Sequence, residues 1–211
     1  MIECLSCGRR QQPQLTCESC GAPLGVDLDC FAAFALPRKL TIDSAALERA
    51  YHDLSRRIHP DRFAQSAPRA RDASLRSTAL LTRSYRTLRD PIARGLYWLE
   101  LHGQKLAENN KAVPPDLAAL VFQVQEELEE LRDANGSGAQ RLRERTMSRR
   151  TGLEQSMAAL QGDLAANFKR WDEGGDRAAL TIELKSVLSR IAYLRTLIRD
   201  LDRALENLQA A

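Results

Sequence analysis

The chain has 211 residues, a net charge of +3 and a pI near 8.7. Charged residues make up 28% of it and aromatic residues 5%, and Leu, Ala, Glu and Arg are among its most frequent residues, which is typical of mostly helical proteins. This mild basic charge does not indicate a nucleic-acid-binding protein, because such proteins concentrate more positive charge. No apolar run has the length needed to cross a bilayer, and the N-terminus lacks the basic and apolar segments of a secretory signal. We therefore expect a cytoplasmic protein without a membrane segment.

Two cysteine pairs lie within residues 1–25, which show no helical periodicity. The two knuckles consist of Cys4, Cys7 and Gly8 and of Cys17, Cys20 and Gly21. Two residues between paired cysteines let both sulfurs reach one ion, and the glycine permits a tight turn whose amide can donate to a thiolate. Four thiolates suit tetrahedral zinc, although the same ligands also serve iron, and a redox or disulfide role is an alternative. Because four protein ligands leave no open position, we expect a structural metal.

Amphipathic helices with short breaks follow the cysteine module. Four are predicted, over about 28–36, 43–58, 68–89 and 92–102. Pro37 is predicted to end the first helix, which carries Cys30 on one face. Asp43 or Ser44 is predicted to cap the second, and Gly103 to close the fourth.

The tripeptide His59-Pro60-Asp61 interrupts this pattern, because Pro60 disfavours a helical conformation at His59. The proline stiffens the loop, so that His59 and Asp61 project in fixed directions and Asp61 can meet an arginine of a partner. The outer face of the preceding helix carries Arg49, His52, Arg56 and Arg57. Together with Arg62, the three arginines of this helix form a positive face that suits an acidic partner surface. The sequence shows neither a nucleophile–base pair nor a phosphate-binding glycine loop, so we do not expect an enzyme.

The C-terminal half predicts a helical bundle. Residues 104–115 are polar, end in two prolines and are predicted to be a linker. Three long amphipathic helices follow, over about 116–134, 139–172 and 177–209, joined by turns at 135–138 and 173–176. Short connections between long helices predict an antiparallel three-helix bundle and an all-α fold. The predicted domains are 1–25 for the metal module, 26–103 for a helical hairpin domain, 104–115 for the linker and 116–211 for the bundle.

One face of the bundle carries residues that its core does not need. Phe122 lies about 140° around the first bundle helix from the centre of the apolar stripe. Glu126 and Glu130 continue its row at four-residue spacing. On the last helix, Tyr193 and Leu197 are also predicted to lie outside the core stripe. Exposed aromatic residues on two helices, with carboxylates between them, suit a protein partner.

The His-Pro-Asp loop between two amphipathic helices resembles that of J domains, co-chaperone modules that stimulate ATP hydrolysis by DnaK-type chaperones. From about residue 27 onward the chain resembles HscB, the J-domain family of iron–sulfur cluster assembly. The segments that carry this resemblance are CFAAFALP (30–37), HPDRF (59–63), YRTLRDP (85–91), YWLELHG (97–103) and QEELEEL (125–131). Ile58 stands where an aromatic residue is common in the family, and Arg62 where lysine is usual. The cysteine module looks like that of mitochondrial members.

The resemblance implies a function and two sets of site residues. In this family the bundle holds the iron–sulfur cluster scaffold protein, and the J domain delivers it to a specialised HscA-type chaperone. The implied chaperone-binding residues are His59, Pro60, Asp61, Arg56, Arg57 and Arg62. The implied scaffold-binding residues are Ala119, Phe122, Glu126, Glu130 and Tyr193.

Two other functions can be compared with the residues of the sequence. A general J-domain protein, which recruits the chaperone to unfolded chains, is the alternative function. A nucleic-acid-binding zinc protein is disfavoured, because only Arg9 and Arg10 lie near the knuckles and no aromatic residue interleaves them. The pattern is compatible with a monomer or a dimer.

Overall fold

The computed structural model describes residues 1–106, 115–133 and 137–210. These residues form two compact units, Met1–Trp98 and Leu99–Ala211. The strands are β1 (Ile2–Glu3) and β2 (Arg10–Gln11), and the helices are α1 (Ser44–Ile58), α2 (Pro68–Arg89), α3 (Pro91–Leu101), α4 (Pro115–Asp133), α5 (Ser137–Asp172) and α6 (Arg177–Ala210). This confirms the predicted all-α class. Within the described ranges, no helix is long and apolar enough to cross a membrane.

The first unit holds the cysteine module together with the helical hairpin. In the module, β1 pairs antiparallel with β2, with Ile2 opposite Gln11. A small core forms beneath the two knuckles from Cys4, Cys17, Ala22 and Leu24, with Ile2 and Val26 packed against it. This core is too small to fold a 25-residue segment by burial alone, which agrees with a structural role for a metal. The domain boundaries themselves stay predictions.

The segment over 28–36 is not the α-helix that its apolar residues predicted. It contains only a 3-10 turn, Ala32–Phe34, whose first amide donates to Asp29 Oδ1 at 2.8 Å. The chain then reverses at Ala35, whose φ of 52° is left-handed. Because Pro37 disfavours a helical conformation at the preceding residue, the turn cannot be extended. Cys30, expected on a helix face, is instead buried in the turn, and its amide donates to the Tyr97 hydroxyl at 3.0 Å.

Helices α1 and α2 form an antiparallel hairpin. Asp43 is the cap of α1, because its carboxylate accepts hydrogen bonds from the amides of Ala45 and Ala46 at 2.9 and 3.0 Å. Tyr51 of α1 stacks on Tyr85 of α2 with ring centroids 4.2 Å apart. At the other end of α1, Ile58 is fully buried.

Helix α3 is capped at both ends, and the cap at its C-terminal end is the glycine that the sequence predicts. Asp90 accepts a hydrogen bond from the Ile92 amide at 2.8 Å. Gly103 has a φ of 65°, and its amide donates to the Glu100 carbonyl at 3.0 Å. The predicted role of Gly103 at the C-terminal end of this helix is therefore confirmed.

The second unit contains the three-helix bundle. Its α4–α6 core consists of Val124, Leu128, Leu131, Leu153, Leu194, Leu197 and Leu201. Leu197 is 3% exposed, so the prediction that it lies outside the core is wrong. Helix α6 packs against both α4 and α5 and therefore needs a wider apolar face than the single stripe that its near-heptad pattern suggests.

Two predicted connections lie partly outside the described residues. These are the linker over 104–115, of which 107–114 are not described, and the turn over 135–138, of which 135 and 136 are not described. The predicted turn over 173–176 is described. There Gly174 has a φ of 88°, and Asp176 caps α6 through the Ala178 amide at 2.9 Å.

Replacing Leu197 tests its burial. We expect Leu197→Ala to lower the free energy of unfolding of the bundle by about 2–5 kcal/mol, because it leaves a cavity in a packed core. Ile182→Ala on the same helix is the matched control, because Ile182 is 70% exposed, and we expect a change within about 0.5 kcal/mol. Urea unfolding followed by circular dichroism measures both. Equal effects of the two substitutions would contradict the buried position of Leu197.

Candidate metal centre and partner-binding sites

The two knuckles of the metal centre fold alike. Gly8 and Gly21 both have a φ of 72°, a left-handed conformation that glycine adopts without a steric penalty. Their amides donate to the carbonyl oxygens of Cys4 and Cys17, each at 2.9 Å. The tight turn predicted after each cysteine pair is therefore present. The predicted hydrogen bond from the glycine amide to a thiolate is absent in both knuckles, because this amide donates to the carbonyl oxygen of the first cysteine instead.

The four sulfurs converge on one point. The Sγ atoms of Cys4 and Cys20 lie 3.6 Å apart, and those of Cys7 and Cys17 lie 3.7 Å apart. All four lie within 4.8 Å of one another. Zinc–sulfur bonds of about 2.3 Å in a tetrahedron place sulfurs about 3.8 Å apart. The cysteine cluster therefore has the size that a tetrahedral metal ion requires, and it brings together all four predicted ligands.

The surroundings of the cluster act on two of its thiols in opposite directions. Cys4 and Cys17 are buried, whereas Cys7 and Cys20 are exposed. The backbone amide of Cys20 lowers the pKa of the Cys17 thiol to about 7, which favours the form that binds a metal. Against the effect of the Ala22 amide, which lowers it, burial and hydrogen bonds with the other three sulfurs raise the pKa of the Cys20 thiol to about 12. Gln11, which is also buried, accepts the Glu18 amide at 3.1 Å and joins β2 to the second knuckle. Nothing in the cysteine spacing indicated this role of Gln11.

The His-Pro-Asp loop is a short turn at the end of α1. A 3-10 turn, Pro60–Phe63, follows His59 directly. The His59 carbonyl accepts the Arg62 amide at 3.0 Å, and its Nδ1 accepts the Asp61 amide at 3.3 Å. The side chains of His59 and Asp61 are 53% and 90% exposed. The turn therefore presents an imidazole and a carboxylate to the solvent on a defined backbone.

A hydrogen bond from α2 holds the base of this turn. The Ser74 hydroxyl donates to the Ile58 carbonyl at 2.6 Å inside the hairpin core, and the Thr78 hydroxyl lies 3.4 Å from the same oxygen. Ser74 is fully buried. The sequence analysis did not identify Ser74, although small polar residues on an apolar helix face mark close contacts of this kind.

The predicted basic residues of α1 and of the turn are all exposed. They are Arg49, His52, Arg56, Arg57 and Arg62. Arg56 forms an ion pair with Asp53, one helical turn away. Arg62 donates to the Arg56 carbonyl at 3.4 Å, which places its guanidinium beside the end of α1.

Four of the predicted scaffold-binding residues share one exposed face of α4. They are Ala119, Phe122, Glu126 and Glu130. Phe122 is 65% exposed, which is unusual for so large an apolar side chain. The fifth residue, Tyr193 on α6, is half-buried. Leu197, in the next turn of α6, packs in the same core as Val124 of α4.

A buried carboxylate beneath the α4 face was missed. Glu127 is 2% exposed and accepts hydrogen bonds from Arg145 at 3.3 Å, Thr146 at 3.2 Å and Arg149 at 3.0 Å. Arg145 also pairs with the exposed Glu130. The α4 face is therefore braced by two arginines of α5. The apolar periodicity of α4 could have indicated that Glu127 is buried, since Glu127 is three residues after Val124 and lies on the apolar stripe of this helix.

A helical hairpin with an exposed His-Pro-Asp turn, joined in sequence to a three-helix bundle, defines a J-domain co-chaperone. No protein-family model matches the sequence. The chain is 32% identical to the co-chaperone protein HscB homolog of Aromatoleum aromaticum over 195 residues, which cover 88% of this chain and 99% of that protein. It is 30% identical to the HscB homolog of Ralstonia nicotianae over 183 residues, covering 84% and 94%.

The fold agrees with these relatives. The crystal structure of human co-chaperone protein HscB superposes with a TM-score of 0.67 at 21% identity, covering 95% of this chain and 97% of that chain. The chain therefore belongs to the HscB co-chaperone family.

The metal centre is testable by elemental analysis. We expect the purified protein to carry about one ion per chain and Cys4→Ser to lose most of it, because three thiolates no longer close the tetrahedron. Cys30→Ser is the matched control, because Cys30 is a buried cysteine outside the cluster. Full metal content in Cys4→Ser would contradict the assignment of the site.

Proposed function

We propose that this chain delivers the iron–sulfur cluster scaffold protein to a DnaK/HscA-type chaperone and stimulates ATP hydrolysis by that chaperone. Its action would assist cluster transfer and the maturation of iron–sulfur proteins. The observation that carries the proposal is the exposed turn at His59-Pro60-Asp61 in a chain of the HscB family. The chain itself supplies binding surfaces, and the chaperone supplies the chemistry.

The turn is suited to bind a cationic partner group. The Asp61 carboxylate is 90% exposed, and one of its oxygens lies 3.4 Å from His59 Nδ1. The amide of Asp61 is held by His59 Nδ1, so the backbone under the carboxylate is ordered before a partner arrives. A preorganised carboxylate binds an arginine more tightly, because less conformational entropy is lost on binding. We assign His59, Pro60 and Asp61 to the chaperone contact.

The basic residues would guide the encounter. Arg56, Arg57 and Arg62 lie within three residues of the turn and are exposed. A positive patch attracts an acidic surface over about a Debye length and raises the association rate more than the affinity. The chaperone surface that receives the turn is therefore expected to be acidic.

The α4 face would bind the scaffold protein. Phe122 is an exposed aromatic anchor, with Ala119 on one side and Glu126 on the other in the same row of the helix. Large aromatic side chains supply much of the free energy of protein association when a partner buries them. Glu130 borders this apolar spot, and its pairing with Arg145 orders its carboxylate. Tyr193 of α6 is the proposed second aromatic contact.

We assign zinc to the cysteine centre. Its four thiolates match the closed coordination of structural zinc sites, in which all ligands come from the protein. Iron accepts the same four ligands in the same geometry. The metal detected in the elemental analysis above therefore decides between zinc and iron.

Replacing His59 tests the J-domain activity. We expect His59→Gln to abolish stimulation of the chaperone ATPase, because it removes the imidazole that orders the turn. His102→Gln is the matched control, since His102 is exposed and lies neither in the turn nor on the basic face of α1. The measurement is steady-state phosphate release by a purified DnaK/HscA-type chaperone. Full stimulation by His59→Gln would refute the proposed contact.

Calorimetry with the purified scaffold protein tests the α4 face. We expect Phe122→Ala to weaken binding about 30-fold, which corresponds to about 2 kcal/mol for an aromatic hot spot. Tyr193→Ala should weaken it less, because Tyr193 is half-buried in the free protein. Ile182→Ala is the control, as it removes an exposed apolar residue that is not part of the proposed face. Absence of scaffold binding by the folded wild type, with binding of unfolded chains instead, would favour the general J-domain function.

A further inference from the structure

The cysteine module is clamped onto α2 by its last residues. The backbone of Gly25 approaches α2 so closely that a Cβ atom there would lie 2.7 Å from the Ala73 Cα. The Gly25 amide donates to the Ser77 hydroxyl at 3.2 Å. Ala73 and Ser77 are both buried and lie one turn apart on α2. Only small side chains on α2 and a glycine in the module permit this contact.

The same turn of α2 anchors the His-Pro-Asp loop. Ser74, which follows Ala73, holds the Ile58 carbonyl directly before His59. Thr78, which follows Ser77, lies against the same carbonyl. The module and the base of the loop therefore pack on one segment of α2, residues 73–78. A displacement of the module on this segment also displaces the residues that hold the loop.

A second contact joins the module to α1 through Arg57. The Nη2 atom of Arg57 lies 3.5 Å from the position of a Cβ on Gly21, the residue after the ligand Cys20. Within the described ranges, Arg57 forms neither an ion pair nor a hydrogen bond, whereas its neighbour Arg56 is paired with Asp53. Four thiolates around a divalent ion carry two net negative charges. A free guanidinium beside the second knuckle is therefore attracted to the loaded site.

We propose that Arg57 positions the metal module against α1, and that metal loading thereby sets the geometry of the His-Pro-Asp loop. The second part rests on the proposed function, because that function makes the loop the contact for the chaperone. Arg57 was assigned to the chaperone interface by family resemblance. Its place beside the knuckle makes it a positioning residue that acts through the metal module.

Metal release tests the role of Arg57 without a chaperone. The zinc-loaded full chain is mixed with an excess of the chromogenic chelator 4-(2-pyridylazo)resorcinol, and the release rate is measured at low and high salt. We expect Arg57→Ala to release zinc about 10-fold faster than the wild type, as for other residues that support metal ligands. Arg56→Ala is the matched control and should release zinc at the wild-type rate.

A charge effect has two further signatures. Arg57→Lys should restore most of the slow release, and high salt should speed release from the wild type but not from Arg57→Ala. Equal release rates for Arg57→Ala and the wild type would overturn the role of Arg57. Faster release from Arg57→Ala would also overturn this role if Arg57→Lys does not restore slow release and salt does not change the rate. The faster release would then reflect lost packing rather than lost charge.

Amide chemical shifts test the coupling to the loop. We expect removal of zinc from the wild type to shift the NMR resonances of the Asp61 and Arg62 amides, which the His59 side chain and carbonyl hold. Amides of α6, in the second unit, should not shift and serve as the internal control. Unchanged Asp61 and Arg62 resonances would overturn the coupling.

The ATPase assay separates the two proposals. If the zinc-loaded wild type does not stimulate the chaperone, the proposed function fails, whereas the release rates and amide shifts still decide the present inference. If the loaded protein stimulates and the zinc-stripped protein stimulates several-fold less, the coupling reaches the chaperone. Equal stimulation by both forms would overturn the claim that metal loading controls the loop that binds the chaperone.

Discussion

The first unit depends on one buried turn of α2. Between residues 73 and 78, small side chains let two other segments approach the helix backbone. Gly25 of the cysteine module packs on Ala73, and Ser74 holds the carbonyl of Ile58. A larger residue at either helix position would clash in a close-packed interior. The His-Pro-Asp loop and the cysteine module therefore both pack on residues 73–78 of α2, which belong to neither motif.

In the bundle, α4 supplies both part of the core and the face that we propose binds the scaffold protein. The inner face of α4 packs Val124 and Leu128 against α6, while its outer face exposes Phe122. Glu127 lies inside, where Arg145 and Arg149 of α5 balance its charge. Removing one member of such a buried ionic cluster leaves an uncompensated charge, which is costly. The buried ionic cluster beneath α4 therefore makes the proposed scaffold-binding face rigid.

Much of the fold was predictable from local patterns. The bounds of α1 and α2 follow from the cap at Asp43, the break at Pro60 and an apolar period near four residues. The predicted helix over 28–36 failed because its apolar residues fit a helix, while Asp29 and Pro37 confine the segment to one turn. Apolar spacing alone does not separate a short helix from a packed turn, since both bury side chains.

The sequence by itself determined the motifs whose chemistry is local. The spacing of the cysteines indicated four metal ligands, and the His-Pro-Asp tripeptide indicated a J-domain loop, because each motif is a short set of residue types at fixed spacing in the sequence. Only the tertiary structure decided that Leu197 is buried and that Arg57 lies against the second knuckle. Both positions result from packing between segments distant in the chain, and local periodicity contains no information on that packing.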